Sequence, residues 1–198
     1  MITIGLTGMS GSGKTYISNR LLSWGIPVVN TDLLVHQLYA ERNACTEALK
    51  NLFGEGILNS DHSINRRILA SIVFSDPQKL AVLNQTVHPF VISLVKKQIA
   101  EWEEKGNTVT VVEAPQLFEA HMENDFDYII SVVADHSTRV SRIALRDALT
   151  EEQAIKRLAN QHSDEFFEIH SDFIIDNSDG ADPITQLQEI LHKIGIQL

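Results

Sequence analysis

Apolar, β-branched runs recur along the chain at residues 2–6, 26–29, 109–112, 128–133 and 173–175. Each run is continuous rather than alternating, the pattern of a strand buried on both faces of a parallel sheet. Helical periodicity fills the spaces between them, beginning with Ile17, Leu21 and Trp24, with Gly25 standing where a helix would stop. A last amphipathic pattern, Ile184, Leu187, Ile190, Leu191 and Ile194, follows Asp182-Pro183, a fitting N-cap and first-turn pair, and should cover one sheet face. Strand alternating with helix predicts an α/β fold of three layers around a five-stranded parallel sheet.

The strands are unevenly spaced. About eighty residues separate Val29 from Val109 without a convincing strand, and they read as helices broken near Gly54-Glu55-Gly56, Asp76-Pro77 and His88-Pro89. A second helical, charge-rich stretch follows Val133. The expected organisation is a core of residues 1–32, 107–136 and 171–198, a helical insertion at 33–106 and a helical lid at 137–170. There is no internal repeat or low-complexity tract.

Composition narrows the function classes. The chain has 198 residues, 43% hydrophobic and 21% charged, which suits one globular core carrying insertions. A formal charge of −10 disfavours nonspecific binding to nucleic acid or anionic membrane, so any phosphate site must be local. No stretch reaches the roughly 18 apolar residues of a membrane span, and the start lacks a basic targeting region, so a cytoplasmic protein is expected. Cys45 is the only cysteine. It has no disulfide partner within the chain and no base-bearing context, and reads as a packed thiol in a reducing compartment.

The segment Gly8-Met9-Ser10-Gly11-Ser12-Gly13-Lys14-Thr15 fits G-x-x-x-x-G-K-[ST] at every fixed position. By residue frequencies such a match arises by chance in about one percent of chains this long. It follows an apolar strand and opens a helix, so loop N–H groups and the positive helix end can converge on phosphate. Gly8, Gly11 and Gly13 allow torsions and close approach that a Cβ would obstruct. Lys14 would bridge the β- and γ-phosphates of ATP, and the Thr15 hydroxyl would ligate Mg²⁺. Glu113 ends the third strand, where a magnesium-binding acid belongs, although a strand-ending glutamate is also often just solvated. A GTPase would carry N-K-x-D and D-x-x-G, and neither is present.

Further motifs occur in order along the chain: Asn30-Thr31-Asp32, Asn65-Arg66, Ile72-Val73-Phe74, Leu83-Asn84, Val87-His88-Pro89, Glu113-Ala114-Pro115-Gln116-Leu117-Phe118-Glu119, Arg142, Arg146-Asp147, and the run from Ser171 to Asn177. Together with the glycine-rich loop they resemble the dephospho-CoA kinases over nearly the whole chain. The chain departs from that family at Asn30, where the family has Asp, and in residues 161–170, where the family often has a basic residue.

The resemblance implies transfer of the ATP γ-phosphate to the 3′-hydroxyl of dephospho-CoA, with Mg²⁺ bound by Thr15 and Glu113 and no protein partner required. It implies that Asp32, Lys14 and Arg142 are catalytic, and that the loop residues, Ser12 included, bind ATP with Tyr16, Arg146 and Asn177. Asp32, Arg66, His88 and Pro115 would face the acceptor, a guanidinium suiting the substrate's pyrophosphate. Read from the residues alone, Asp32 can orient the hydroxyl or cap the following helix, and His88-Pro89 can open a helix. Arg139, Arg142 and Arg146, at i, i+3 and i+7, would put three cations on one helix face, as a lid closing over an anion would need, or form a solvated face balanced by Asp147, Glu151 and Glu152. The other histidines lack zinc-ligand spacing. A different small-molecule kinase with the same loop, acting on a nucleotide or sugar acid, and a non-enzymatic ATP-binding module are the competing readings.

Overall fold

The computed structural model describes residues 1–159 and 161–198. They form two compact units, one of Met1–Val29 with Trp102–Leu198 and one of Asn30–Glu101. The expected parallel sheet of five strands is present: β1 (Ile2–Gly8), β2 (Val28–Asn30), β3 (Val109–Glu113), β4 (Tyr128–Val133) and β5 (Phe173–Asp176). Its order is β2-β3-β1-β4-β5, with β1 pairing in parallel with β3 and β4, and β4 with β5. All of β3 is buried, and so is β1 from Ile4 onward, which explains why both read as unbroken apolar runs. The chain leaves central β1 for β2 on one side and later reaches β4 on the other, so the loop after β1 opens at the point where strand order reverses.

Two helices share one buried cluster with this sheet. Ile17 and Leu21 of α1 (Lys14–Ser23) and Leu187, Ile190 and Leu191 of the last helix, Pro183–Lys193, share a buried cluster with Ile4, Leu6, Val111, Ile130, Val132 and Ile175. Each fully buried aliphatic side chain there contributes roughly 1.5–3 kcal/mol.

The second unit is helical: α2 (Thr31–Ala40), α3 (Ala44–Phe53), α4 (Arg66–Val73) and α5 (Pro77–Glu104), whose last residues pass into the first unit. The break at 76–77 is real, because the Asp76 carboxylate accepts the N–H groups of Gln78 and Lys79 and Pro77 opens α5. The expected break at His88-Pro89 is not: α5 runs through it. Pro89 removes one backbone bond, but the helix buries Val87, Val91 and Val95 at a spacing of four on either side of it, and packing outweighs the local penalty. His88 therefore lies inside a helix and does not open one. Cys45 is buried in the first turn of α3, where burial pushes its thiol up to about 11.

The described residues of 137–170 belong to the first unit and include three helices, α6 (His136–Asp147), α7 (Glu151–Leu158) and α8 (Asp164–His170). Ala148 ends α6 in the left-handed region, φ 51°, and Thr150 with Gln153 forms a capping box that starts α7. Val140 and Ile143 pack against Ala154 and Leu158 to join the two. The helix Pro183–Lys193, α9, starts on the Asp182 carboxylate as its sequence implied.

Candidate active site

The loop of residues 8–15 is shaped by contacts that leave no space for a side chain at its glycines. A Cβ on Gly8, φ 133°, would stand 2.1 Å from the Val132 carbonyl oxygen of neighbouring β4. Gly13, φ 96°, is the last residue before α1, and a Cβ there would meet the Asn177 amide nitrogen at 2.1 Å. Asn177, buried at the end of β5, donates from Nδ2 to the Ser12 carbonyl at 2.7 Å. Asn177, expected as an ATP ligand, thus lies against the loop and helps fix its path.

Gly13 leaves α1 without a capping side chain, and its first turn carries no acid. Every other α-helix among the described residues begins on a side chain that accepts from its first turn: Asn30, Asn43, Asn65, Asp76, Asp135, Thr150, Ser163 and Asp182. The uncapped end presents N–H groups and the positive helix dipole, which is what an anion requires.

Charged and hydroxyl groups gather at this end. Lys14 Nζ donates to the carbonyls of Gly8 at 2.7 Å and Met9 at 3.0 Å. The Thr15 hydroxyl donates to Glu113 Oε1 at 3.3 Å, and Glu113 is only 4% exposed. Arg142 Nη2 reaches Asp179 at 3.3 Å, while Nη1 is buried without a hydrogen-bond partner and lies 3.7 Å from the Cβ position of Gly13. The Ser12 hydroxyl is buried and unpartnered as well. Unsatisfied buried donors are costly, so a pair of them beside an uncapped helix start fits a site that receives phosphate oxygens. Tyr16, the third residue of α1, is half exposed.

No group of three or more His, Cys, Asp or Glu side chains able to hold a metal occurs among the described residues. Magnesium needs none, because it keeps several waters and shares phosphate oxygens. The Thr15 hydroxyl and Glu113 carboxylate are hard oxygen ligands of the kind it takes.

The three arginines of α6 do not act as one face. Arg139 is 5% exposed, contacts Met9 Sδ through Nη1 and pairs with Asp164 at 3.4 Å. Arg146 is exposed and bidentate to Asp147, at 2.8 Å through both Nε and Nη2, and Arg157 joins the same carboxylate at 2.7 Å. These partners hold the Asp147 carboxyl below the usual carboxylate range. Arg146, expected at ATP, is paired here with Asp147, while Arg139 Nε and Arg142 Nη1 are each buried without a hydrogen-bond partner, and Arg142 Nη1 is the one beside Gly13.

In the second unit, α2 is capped by Asn30, whose Oδ1 accepts Leu33 N–H at 3.0 Å. The residue that departs from the family pattern is itself the cap, so Asp32 is not. Asp32 lies exposed in the first turn of α2. Arg66, first residue of α4, donates from Nη1 to the ring of His36. His88 is half-buried within α5, and Pro115 follows Glu113 by two residues on the loop after β3.

Three partners of the expected residues and loop, two in the first unit and one in the second, went unassigned in the sequence. Asp179 pairs with Arg142, the Gln161 carboxamide oxygen accepts Ser10 N–H at 3.0 Å, and His36 holds Arg66. His36 had a signal, since it stands one helical turn after Asp32. Asp179 lay two residues past Asn177, and Gln161 opens the segment where basic residues were missing.

A family model described as Dephospho-CoA kinase matches residues 2–182. The dephospho-CoA kinase of Shouchella clausii is 35% identical over 175 residues, covering 88% of this chain and 89% of its own length. Among solved structures, a protein from Thermus thermophilus superposes with a TM-score of 0.84 at 30% identity, over 99% of this chain and 98% of the other. The dephospho-CoA kinase of Campylobacter jejuni gives 0.71 at 25% identity, over 97% and 96%. A matched span from the first strand to the last helix's cap, together with the loop and its uncapped helix, places this chain in the dephospho-CoA kinase family.

Proposed function

We propose that the chain transfers the γ-phosphate of ATP to the 3′-hydroxyl of dephospho-CoA, giving coenzyme A. The observation that carries this reading is the start of α1, which alone among the described α-helices lacks a capping side chain and faces the open Nη1 donor of Arg142. Loop N–H groups and Lys14 hold the terminal phosphates, and Arg142 stabilises charge on the phosphoryl group in transit. Thr15 and Glu113 would hold a magnesium ion, which when bound would neutralise charge on the phosphate oxygens.

Asp32 orients the 3′-hydroxyl and accepts its proton, the role a kinase needs beside the acceptor. Arg66 binds the acceptor's diphosphate, with His88 and Pro115 on the same substrate's side. Tyr16 borders the nucleotide. Among the described residues no helix is long and apolar enough to cross a membrane, and the proposed setting is the cytoplasm, on a small-molecule substrate with no protein partner needed.

ATP consumption measured with dephospho-CoA, nucleoside monophosphates and gluconate tests the substrate assignment. Turnover is expected with dephospho-CoA alone. Turnover with only the other acceptors would overturn the assignment while leaving the phosphate site intact.

A further inference from the structure

The second unit carries a cluster in which one member has no role so far. Arg66 Nη1 lies 2.8 Å from His36 Nδ1 and also contacts Nε2. His36 is exposed on α2, one turn after Asp32, and its ring meets the guanidinium at the start of α4. Arg66 from α4 contacts the ring, Asp32 stands one turn earlier on the same helix, and the Arg66 charge also bears on the buried Tyr39 phenol, which burial and the Cys45 thiol of α3 raise.

A guanidinium has only donors, and an imidazole accepts only through an unprotonated nitrogen. The contact therefore requires neutral His36, because an imidazolium at this distance would repel Arg66. A diphosphate between the two side chains reverses that preference. It accepts N–H groups from both, and its charge offsets their repulsion, as does the Asp32 carboxylate nearby.

We propose that His36 is a second ligand of the dephospho-CoA diphosphate, holding Arg66 in the free chain and taking up a proton from solvent as the substrate binds. The inference rests on the assignment of Arg66 to the acceptor.

Calorimetric titration of the full chain with dephospho-CoA, in two buffers of different ionisation heat about one unit above the ordinary imidazole pKa of about 6.5, tests it. The expected result is net proton uptake in the wild type that is lost in His36→Gln. That variant can still accept from Arg66 and should fold normally. In steady-state assays it should raise KM for dephospho-CoA about tenfold, leaving kcat and KM for ATP within about twofold. No proton uptake by the wild type, equal uptake in both chains, or an unchanged KM would overturn the proposal. Failure of the wild type to bind dephospho-CoA at all would instead overturn the functional reading beneath it.

Discussion

Lys14 shows how much one residue carries. Its ammonium is held by the Gly8 and Met9 carbonyls at the mouth of the loop, so the cation is in place before any anion arrives. Lys14→Ala should lower kcat by about 10²–10³-fold, the cost of removing one preorganised charge-stabilising donor, and leave the circular dichroism spectrum unchanged. Wild-type turnover in this variant would refute its assignment. Asp32 makes a different demand. If it receives the hydroxyl proton, Asp32→Asn should cut kcat far more than ATP affinity, and parallel losses in both would argue for a binding role. Lys14 and Thr15 were legible in sequence because their motif fixes backbone and side chain together. The side-chain directions of Arg139 and Arg146 were not, because spacing fixes only where each side chain begins. Arg139 turns inward to Met9 and Asp164, and Arg146 to its neighbour Asp147.

Caps account for most of what distinguishes one element from another. Asn30 at the start of α2 should tolerate Asp, which caps equally well, whereas Asn30→Ala should destabilise the chain by about 1 kcal/mol in urea unfolding. An Asn30→Ala chain as stable as the wild type would contradict the capping role. At α6 the Asp135 carboxylate accepts Thr138 N–H at 2.7 Å and bonds the hydroxyls of Ser137 and Thr138, which lowers its pKa to about 2. A depressed carboxylate adds stability that is complete above its unfolded value of about 3.9 and is lost as pH falls toward 2. Asp135→Asn should lose less stability than the wild type between about pH 4 and pH 2, and identical acid profiles would count against that linkage. The helix starts at Asp76-Pro77 and Asp182-Pro183 were readable because carboxylate and proline act locally. The continuity of α5 through Pro89 was not, because it depends on Val87, Val91 and Val95 finding burial elsewhere in the fold.

At the scale of the whole chain, the continuous apolar runs announced a buried parallel sheet, and all five strands are in it. Their order could not be read, since nothing in a strand's composition names its neighbour. That order places the loop after β1 where strand direction of travel reverses, and so sets where its N–H groups and the start of α1 lie. The most direct test of phosphate transfer at this loop is mass and ³¹P NMR analysis of the product formed from ATP and dephospho-CoA by the wild type and by Lys14→Ala. Coenzyme A phosphorylated at the ribose 3′ position, made by the wild type and nearly absent with the variant, is the expected result; ATP turned over with dephospho-CoA left unmodified, or equal product from both chains, would contradict it.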